Sequence, residues 1–99
     1  MTDDAKTVIN LLGFGRKNAL SRASLAAMTD MTDRKVRRAI ESARRDGLII
    51  ISAEDGSGYY FSNDLDEIER QYRIDHARAM ALLYRLKTMR KMLRKAGRV

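Results

Sequence analysis

The segment from Thr32 to Gly47 constrains the fold more than any other, because it carries the start, the buried face and the end of one helix. Thr32 can cap the helix with its hydroxyl, and Gly47 suits the left-handed conformation at which helices end. Apolar residues between them recur at helical spacing as one stripe: Val36, Ala39, Ile40 and Ala43. With that stripe turned inward, the residues left on the outward side are Arg34, Lys35, Arg37, Arg38 and Glu41.

The segments on either side of this helix complete a recognisable order of elements. A shorter helix precedes it, capped by Ser21 or Ser24, and a brief turn at residues 29–31 joins the two. After it, the β-branched run Leu48 to Ser52 and the run Tyr59 to Ser62 flank a glycine-containing tip at residues 53–58. Two helices, a tight turn and a returning hairpin over residues 20–62 predict a winged helix-turn-helix.

The end of the chain predicts one long helix. Asn63 or Asp64 can cap it, and no helix breaker follows from Leu65 to about Lys95. Its residues at alternating steps of three and four form the seam of a coiled coil: Leu65, Ile68, Tyr72, Asp75, Ala79, Leu82, Leu86, Met89 and Leu93. We expect a homodimer through Tyr72, Ala79, Leu82, Leu86, Met89 and Leu93, in preference to a helix that folds back on its own domain.

A first helix completes the predicted architecture. Asp3 or Asp4 is expected to cap it, Leu12 to end it, and the segment Gly13-Phe14-Gly15 to separate it from the next helix, which it buttresses. The predicted fold is therefore mostly α with a small β-hairpin. It comprises a winged helix-turn-helix domain in residues 1–63 and a long C-terminal helix with a basic tail in residues 64–99.

Charge is unevenly distributed along the 99 residues. The net charge of +7 divides into +3 in residues 21–47, −3 in residues 48–64 and +6 in residues 65–99, with the small remainder before residue 21. A basic excess attracts polyanions without choosing a sequence. The chain has no cysteine and no long apolar run, so we expect a cytoplasmic protein, nucleoid-associated when bound to DNA, and no membrane partner.

Catalytic chemistry has little basis in this sequence. His76 is the only histidine, cysteine is absent, and no nucleophile motif or set of metal ligands can be assembled. His76 beside the helical seam is expected to pack rather than to bind a ligand. Gly13 and Gly15 lack the spacing of a phosphate-binding loop. We therefore predict no enzyme activity, no cofactor and no metal.

Residues 20–62 resemble the winged helix-turn-helix of gluconate-repressor-type and MarR-type bacterial regulators, and with the following helix the chain is also similar to small winged-helix proteins of phage type. The shared pattern stands here as Ser24-Leu25-Ala26, Thr32-Asp33-Arg34-Lys35-Val36-Arg37-Arg38-Ala39-Ile40 and Asp46-Gly47-Leu48-Ile49. The resemblance implies contacts of Thr32, Arg34 and Arg37 with phosphates or base edges. The hairpin tip departs from the pattern, since Glu54 and Asp55 stand where such wings commonly carry cations.

These observations predict sequence-specific binding of double-stranded DNA by a small dimeric transcription regulator, with the helix of residues 32–46 in the major groove. The expected DNA contacts are Thr32, Arg34, Lys35, Arg37, Arg38, Arg16, Lys17 and Arg22. Two alternatives remain open at this point. One is a phage replication or origin-binding protein, and the other is an adaptor or inhibitor that binds a protein partner through its acidic wing and C-terminal helix.

Overall fold

A computed structural model describes the whole chain, residues 1–99. The elements are, in chain order, α1 (Asp3–Ile9), a 3₁₀ turn (Arg16–Asn18), α2 (Arg22–Thr29), α3 (Asp33–Arg45), β1 (Ile50–Ser52), β2 (Tyr59–Phe61) and α4 (Leu65–Lys95). The predicted class, mostly helical with a small hairpin and a long C-terminal helix, is confirmed. The chain divides into two compact units, Met1–Ile68 and Glu69–Val99, so the boundary falls inside α4.

The core of the first unit lies between α1, α2 and α3. All four residues of the stripe predicted on α3 are buried, and the cluster they join consists of Ala5, Val8, Leu12, Leu25, Val36, Ala39, Ile40, Ala43 and Ile50. At α3's last turn, the terminal amine of Met1 lies 3.0 Å from the carboxylate of Asp46. The three helices thus bury their apolar sides together and leave the opposite side of α3 to solvent.

The ends of the helices follow local rules, with one correction. The hydroxyl of Thr32 accepts a hydrogen bond from the backbone N–H of Lys35, and Gly47 adopts φ +95°, so both predicted ends of α3 are confirmed. Helix α1 is capped by Thr2 and not by Asp3 or Asp4 as expected, because the side chain of Thr2 accepts a hydrogen bond from the N–H of Ala5. It also stops at Ile9, short of the expected Leu12.

The hairpin pairs β1 and β2 antiparallel, with Ile51 opposite Tyr60. A third segment, not predicted from the sequence, lies along β2. The N–H of Gly15 donates to the carbonyl of Phe61, and Leu20 and Tyr59 exchange both backbone hydrogen bonds. Residues 13–20 therefore satisfy the backbone groups that an isolated two-stranded hairpin would leave open on this edge.

A second, smaller core covers the other face of the hairpin. It contains Ile51, Ala53 and Tyr60, with Ala19 and Ile68 packed against it. The phenol of Tyr60 and the hydroxyl of Ser62, the latter at 2.8 Å, both donate to the carboxylate of Glu67 in the first turn of α4. The first turn of α4 therefore covers this face of the hairpin, and Ile68, expected in the coiled-coil seam, is partly used here.

The unit Glu69–Val99 is a single stretch of helix followed by a short end. Asp64, one of the two caps predicted for α4, accepts from the backbone N–H of Asp66 at 2.9 Å. Every residue from Tyr72 onward is exposed, the large apolar ones included. No helix of the chain combines the length and apolar character that crossing a bilayer requires.

Candidate functional site

The most prominent surface feature of the first unit is a cationic face on α3, which we define as Arg34, Lys35, Arg37 and Arg38. All four residues are exposed, as expected from the buried stripe on the other side. Helical spacing places Arg34 and Arg38 one turn apart on the side most remote from the core, with Arg37 and Lys35 on its two flanks. The face lies in the first two turns of α3, directly after its capped N-terminus.

An open groove runs beside this face. It has a volume of about 460 Å³ and is lined by Thr2, Arg37, Arg38, Glu41, Ser42 and Arg45. Three guanidinium groups border a single concave surface, and Glu41 is the only carboxylate there. A guanidinium group can donate two parallel hydrogen bonds to a phosphate or to a guanine edge. The groove therefore suits an anionic or acceptor-rich partner.

Two other expected DNA contacts already have partners at the start of α3. The hydroxyl of Thr32 is used as the helix cap, and the guanidinium of Arg22 lies 3.1 Å from the carboxylate of Asp33. The pair of Arg22 and Asp33 is substantially exposed, so it is worth at most about 1 kcal/mol. It joins the first residue of α2 to the first residue of α3.

Arg44 also belongs to α3 but does not join the cationic face. Its Nε and Nη2 atoms donate to the carbonyl of Ile50 at 3.1 and 2.8 Å, and Nη2 also donates to the hydroxyl of Ser52 at 3.1 Å. Its guanidinium lies 5.7 Å from the ring centre of Tyr59. Arg44 therefore fastens the hairpin to α3, a structural role that the sequence pattern did not indicate.

The remaining two expected contacts, Arg16 and Lys17, lie in the 3₁₀ turn and are exposed. The hydrogen bond that the Asp55 carboxylate accepts from the backbone N–H of Ser57, at 2.9 Å, lowers the pKa of Asp55. The positive charge of Arg16 makes a smaller contribution in the same direction. Asp55 is therefore an anion at neutral pH, and the hairpin tip keeps the acidic character expected from its sequence.

The seam predicted on α4 carries a row of uncovered apolar side chains. The exposed fraction of these side chains runs from 38% for Leu86 to 64% for Tyr72, with Leu82, Met89 and Leu93 between them. Ala79, the remaining expected dimer residue, is also exposed. The ring of His76 stacks on that of Tyr72 at 5.6 Å between ring centres. Apart from Asp75, the row is apolar and uncovered, and rows of this kind are typical of interaction surfaces.

Comparison with protein families, with characterised proteins and with solved structures gives no match. The resemblance to winged-helix regulators therefore stays a prediction. In the structure, no group of three or more His, Cys, Asp or Glu side chains is placed to hold a metal ion. The candidate functional site is therefore the cationic face of α3, with Arg22 at the start of the helix and the acidic hairpin tip close to Arg22.

Proposed function

We propose that the chain is a winged helix-turn-helix protein that binds double-stranded DNA through α3. The observation that carries the proposal is the cationic face of α3, whose four exposed cations lie within two turns of a capped helix start. A helix of about 10 to 12 Å diameter fits the major groove of DNA, with its N-terminal residues nearest the base edges. Positive charge at a helix N-terminus also adds to the attraction of backbone N–H groups for phosphate.

The positions of the cations and their neighbours support different DNA contacts for each of them. In this proposal, Arg34 and Arg38 read base edges, while Arg37 and Lys35 on the flanks meet phosphates of the two strands. Arg22 and Thr32 lie at the start of α3, where phosphate contacts position such a helix. Arg16 and Lys17 supply further phosphate contacts near the hairpin.

The acidic tip limits how the hairpin takes part. Phosphate repels the carboxylates of Glu54 and Asp55, so the tip does not enter the minor groove in this proposal. Affinity then depends on α3 and on the 3₁₀ turn more heavily than in proteins with a basic wing. Transcription regulation is the role we propose, and origin binding in DNA replication would use the same surface.

The experiment is a titration of labelled DNA duplexes at several salt concentrations with wild type, Arg37→Ala and Lys6→Ala. We expect affinity to fall steeply with salt, and Arg37→Ala, which loses a phosphate contact, to bind every duplex more weakly with a salt slope smaller by about 1. Lys6→Ala removes one exposed cation from α1 and is the matched control, expected to bind nearly as wild type. DNA binding that is absent, insensitive to salt, or equally weakened in both variants would contradict the proposal.

We further propose that two copies pair through α4. Leu86 lies in the middle of the seam, where an Asp would place a charge between two apolar rows. Leu86→Asp is therefore expected to convert a dimer to a monomer in sedimentation analysis. Tyr84→Asp changes an exposed apolar side chain on the opposite side of α4 and is expected to leave the dimer intact. A wild type that sediments as a monomer would refute the dimer.

One observation favours a second candidate, a protein-interaction module. The hairpin tip presents the anions Glu54 and Asp55 on an exposed loop, and a basic protein surface would be their natural partner. The same duplex titration separates the candidates, because this one predicts no DNA binding that depends on Arg37.

A further inference from the structure

The charges of α4 are segregated along its length. All four of its carboxylates lie in residues 65–79, where three arginines leave a net charge of −1. Residues 80–99 contain no carboxylate and seven cations: Arg85, Lys87, Arg90, Lys91, Arg94, Lys95 and Arg98. The orientation of a second α4 therefore decides whether this cationic half meets another cationic half or the half that holds the carboxylates.

A parallel pair brings like charges together at two places. Asp75 is the one charged residue in the seam, and in a parallel pair it faces Asp75 of the partner subunit. Arg85 and Arg90 flank the seam at positions that meet across a parallel pair, so two guanidinium groups also approach each other. Like charges in such positions disfavour the pairing.

We propose that α4 pairs antiparallel with a second copy of the chain, and that Asp75 accepts hydrogen bonds from Arg90 of the partner subunit. The inference rests on the dimer proposed above and specifies its orientation and register. In this register Tyr72 lies opposite Met89 of the partner subunit, and Ala79 lies opposite Leu82 of the partner subunit. Each acidic half then lies along a cationic half.

The direction of the side chains selects this register. A helical side chain leans toward the N-terminus of its own helix. In an antiparallel pair, Asp75 and Arg90 of the partner subunit therefore lean toward each other. Asp75 is exposed in the single chain, where its carboxylate accepts from the side-chain amide of Gln71 at 3.1 Å. Asp75 interrupts the apolar seam opposite Leu86 of the partner subunit. In the dimer its carboxylate then has a hydrogen-bond donor and is not buried without a partner.

Orientation is measurable by spin labelling, because the chain has no native cysteine. Single nitroxide labels are attached to Ala81→Cys and, separately, to Arg94→Cys, and the distance between labels of one dimer is read by double electron–electron resonance. Residue 81 lies close to residue 81 of the partner subunit in either orientation, so the distance between the two labels is expected to be about 20 Å. For residue 94, we expect about 40 Å if the pair is antiparallel and under about 25 Å if it is parallel.

The outcomes separate this inference from the proposals on which it rests. A short distance at residue 81 with a long one at residue 94 supports the antiparallel pair. Short distances at both overturn the antiparallel orientation and leave the dimer. No distance at either position overturns both, while DNA binding by α3 is decided independently by the duplex titration.

A charge exchange tests the contact itself. Asp75→Arg alone and Arg90→Asp alone are each expected to weaken dimerisation by about 5-fold or more, and the double variant to regain most of that loss. In a parallel pair, Arg90→Asp alone would instead strengthen dimerisation, because the new carboxylate at position 90 would then meet Arg85 of the partner subunit. Lys91→Asp, on the outward side of α4, is the matched control and is expected to change dimerisation less than Arg90→Asp. Additive losses in the double variant would overturn the contact.

Discussion

Replacing Arg44 by alanine is expected to destabilise the fold while leaving the cationic face of α3 in place. The Arg44 side chain is 23% exposed and donates twice to the carbonyl of Ile50 and once to the hydroxyl of Ser52. Hydrogen bonds from a charged donor contribute about 1.5 to 3 kcal/mol, and the contact with the Tyr59 ring adds about 0.5 to 1 kcal/mol. Because solvent reaches part of the group, we expect a total loss of about 2 to 3 kcal/mol.

The free energy of unfolding is measured by urea titration, with the melting temperature as a second readout. For a domain of this size the loss corresponds to a fall of roughly 10 to 20 °C. Arg45→Ala is the matched control, because Arg45 is the exposed neighbour on the same helix and its loss should change stability by under about 0.5 kcal/mol. Arg44→Lys keeps the charge but not the two-pronged donor, so it should fall between the two.

At a temperature where Arg44→Ala is still folded, its affinity for DNA should remain close to that of wild type, whereas Arg37→Ala should be stable and bind weakly. Equal stability of Arg44→Ala and Arg45→Ala would refute the structural role of Arg44. A loss of DNA affinity without a loss of stability would show that Arg44 belongs to the binding surface.

Two further predictions concern the hairpin. A Cβ at Gly58, where φ is +128°, would lie 2.1 Å from the carbonyl oxygen of Leu20, so Gly58→Ala should cost at least about 3 kcal/mol in urea unfolding. Gly56→Ala, also at positive φ but with no atom near, should cost about 1 to 2 kcal/mol, and equal losses would contradict the clash. Burial, and next the carboxylate of Glu67, raise the pKa of Tyr60 above its usual value of 10.0. The contribution of the Tyr60 phenol to stability is therefore complete below pH 10 and is lost as the pH rises through the folded-state pKa. Tyr60→Phe should remove this part of the fall in melting temperature at alkaline pH. An unchanged fall in the variant would refute the role of Tyr60.

Much of the fold could be predicted because its signals are local. The cap at Thr32, the glycine end at Gly47 and the buried stripe between them are encoded within sixteen residues, and the structure has all three. The uninterrupted helical pattern after Asp64 likewise predicts α4 with its observed bounds. Local hydrogen bonding and helical periodicity decide such features before tertiary contacts form.

The features that could not be predicted depend on contacts between distant segments. The pairing of residues 13–20 with β2 joins positions about 40 to 50 residues apart, and nothing in the sequence near Gly13 or Leu20 specifies that partner. Arg44 has the same chemistry as the cations of the α3 face, and only its position on the hairpin side of the helix separates it from them. For the candidate site, the sequence therefore predicts the cationic face but not which arginine is structural.

The pairing of residues 13–20 with the hairpin sets a lower limit on any working fragment. A fragment cut to residues 20–62 would retain every side chain of the helix-turn-helix pattern, but β2 would lose the backbone partners at Gly13 and Gly15 that pair with Phe61 along its free edge. It would also lose Ala5, Val8 and Leu12 from the core, and Glu67 from beneath Tyr60. Deletion mapping should accordingly find that the shortest autonomous folding unit is set by backbone pairing across the chain, well outside the residues that resemble a known motif.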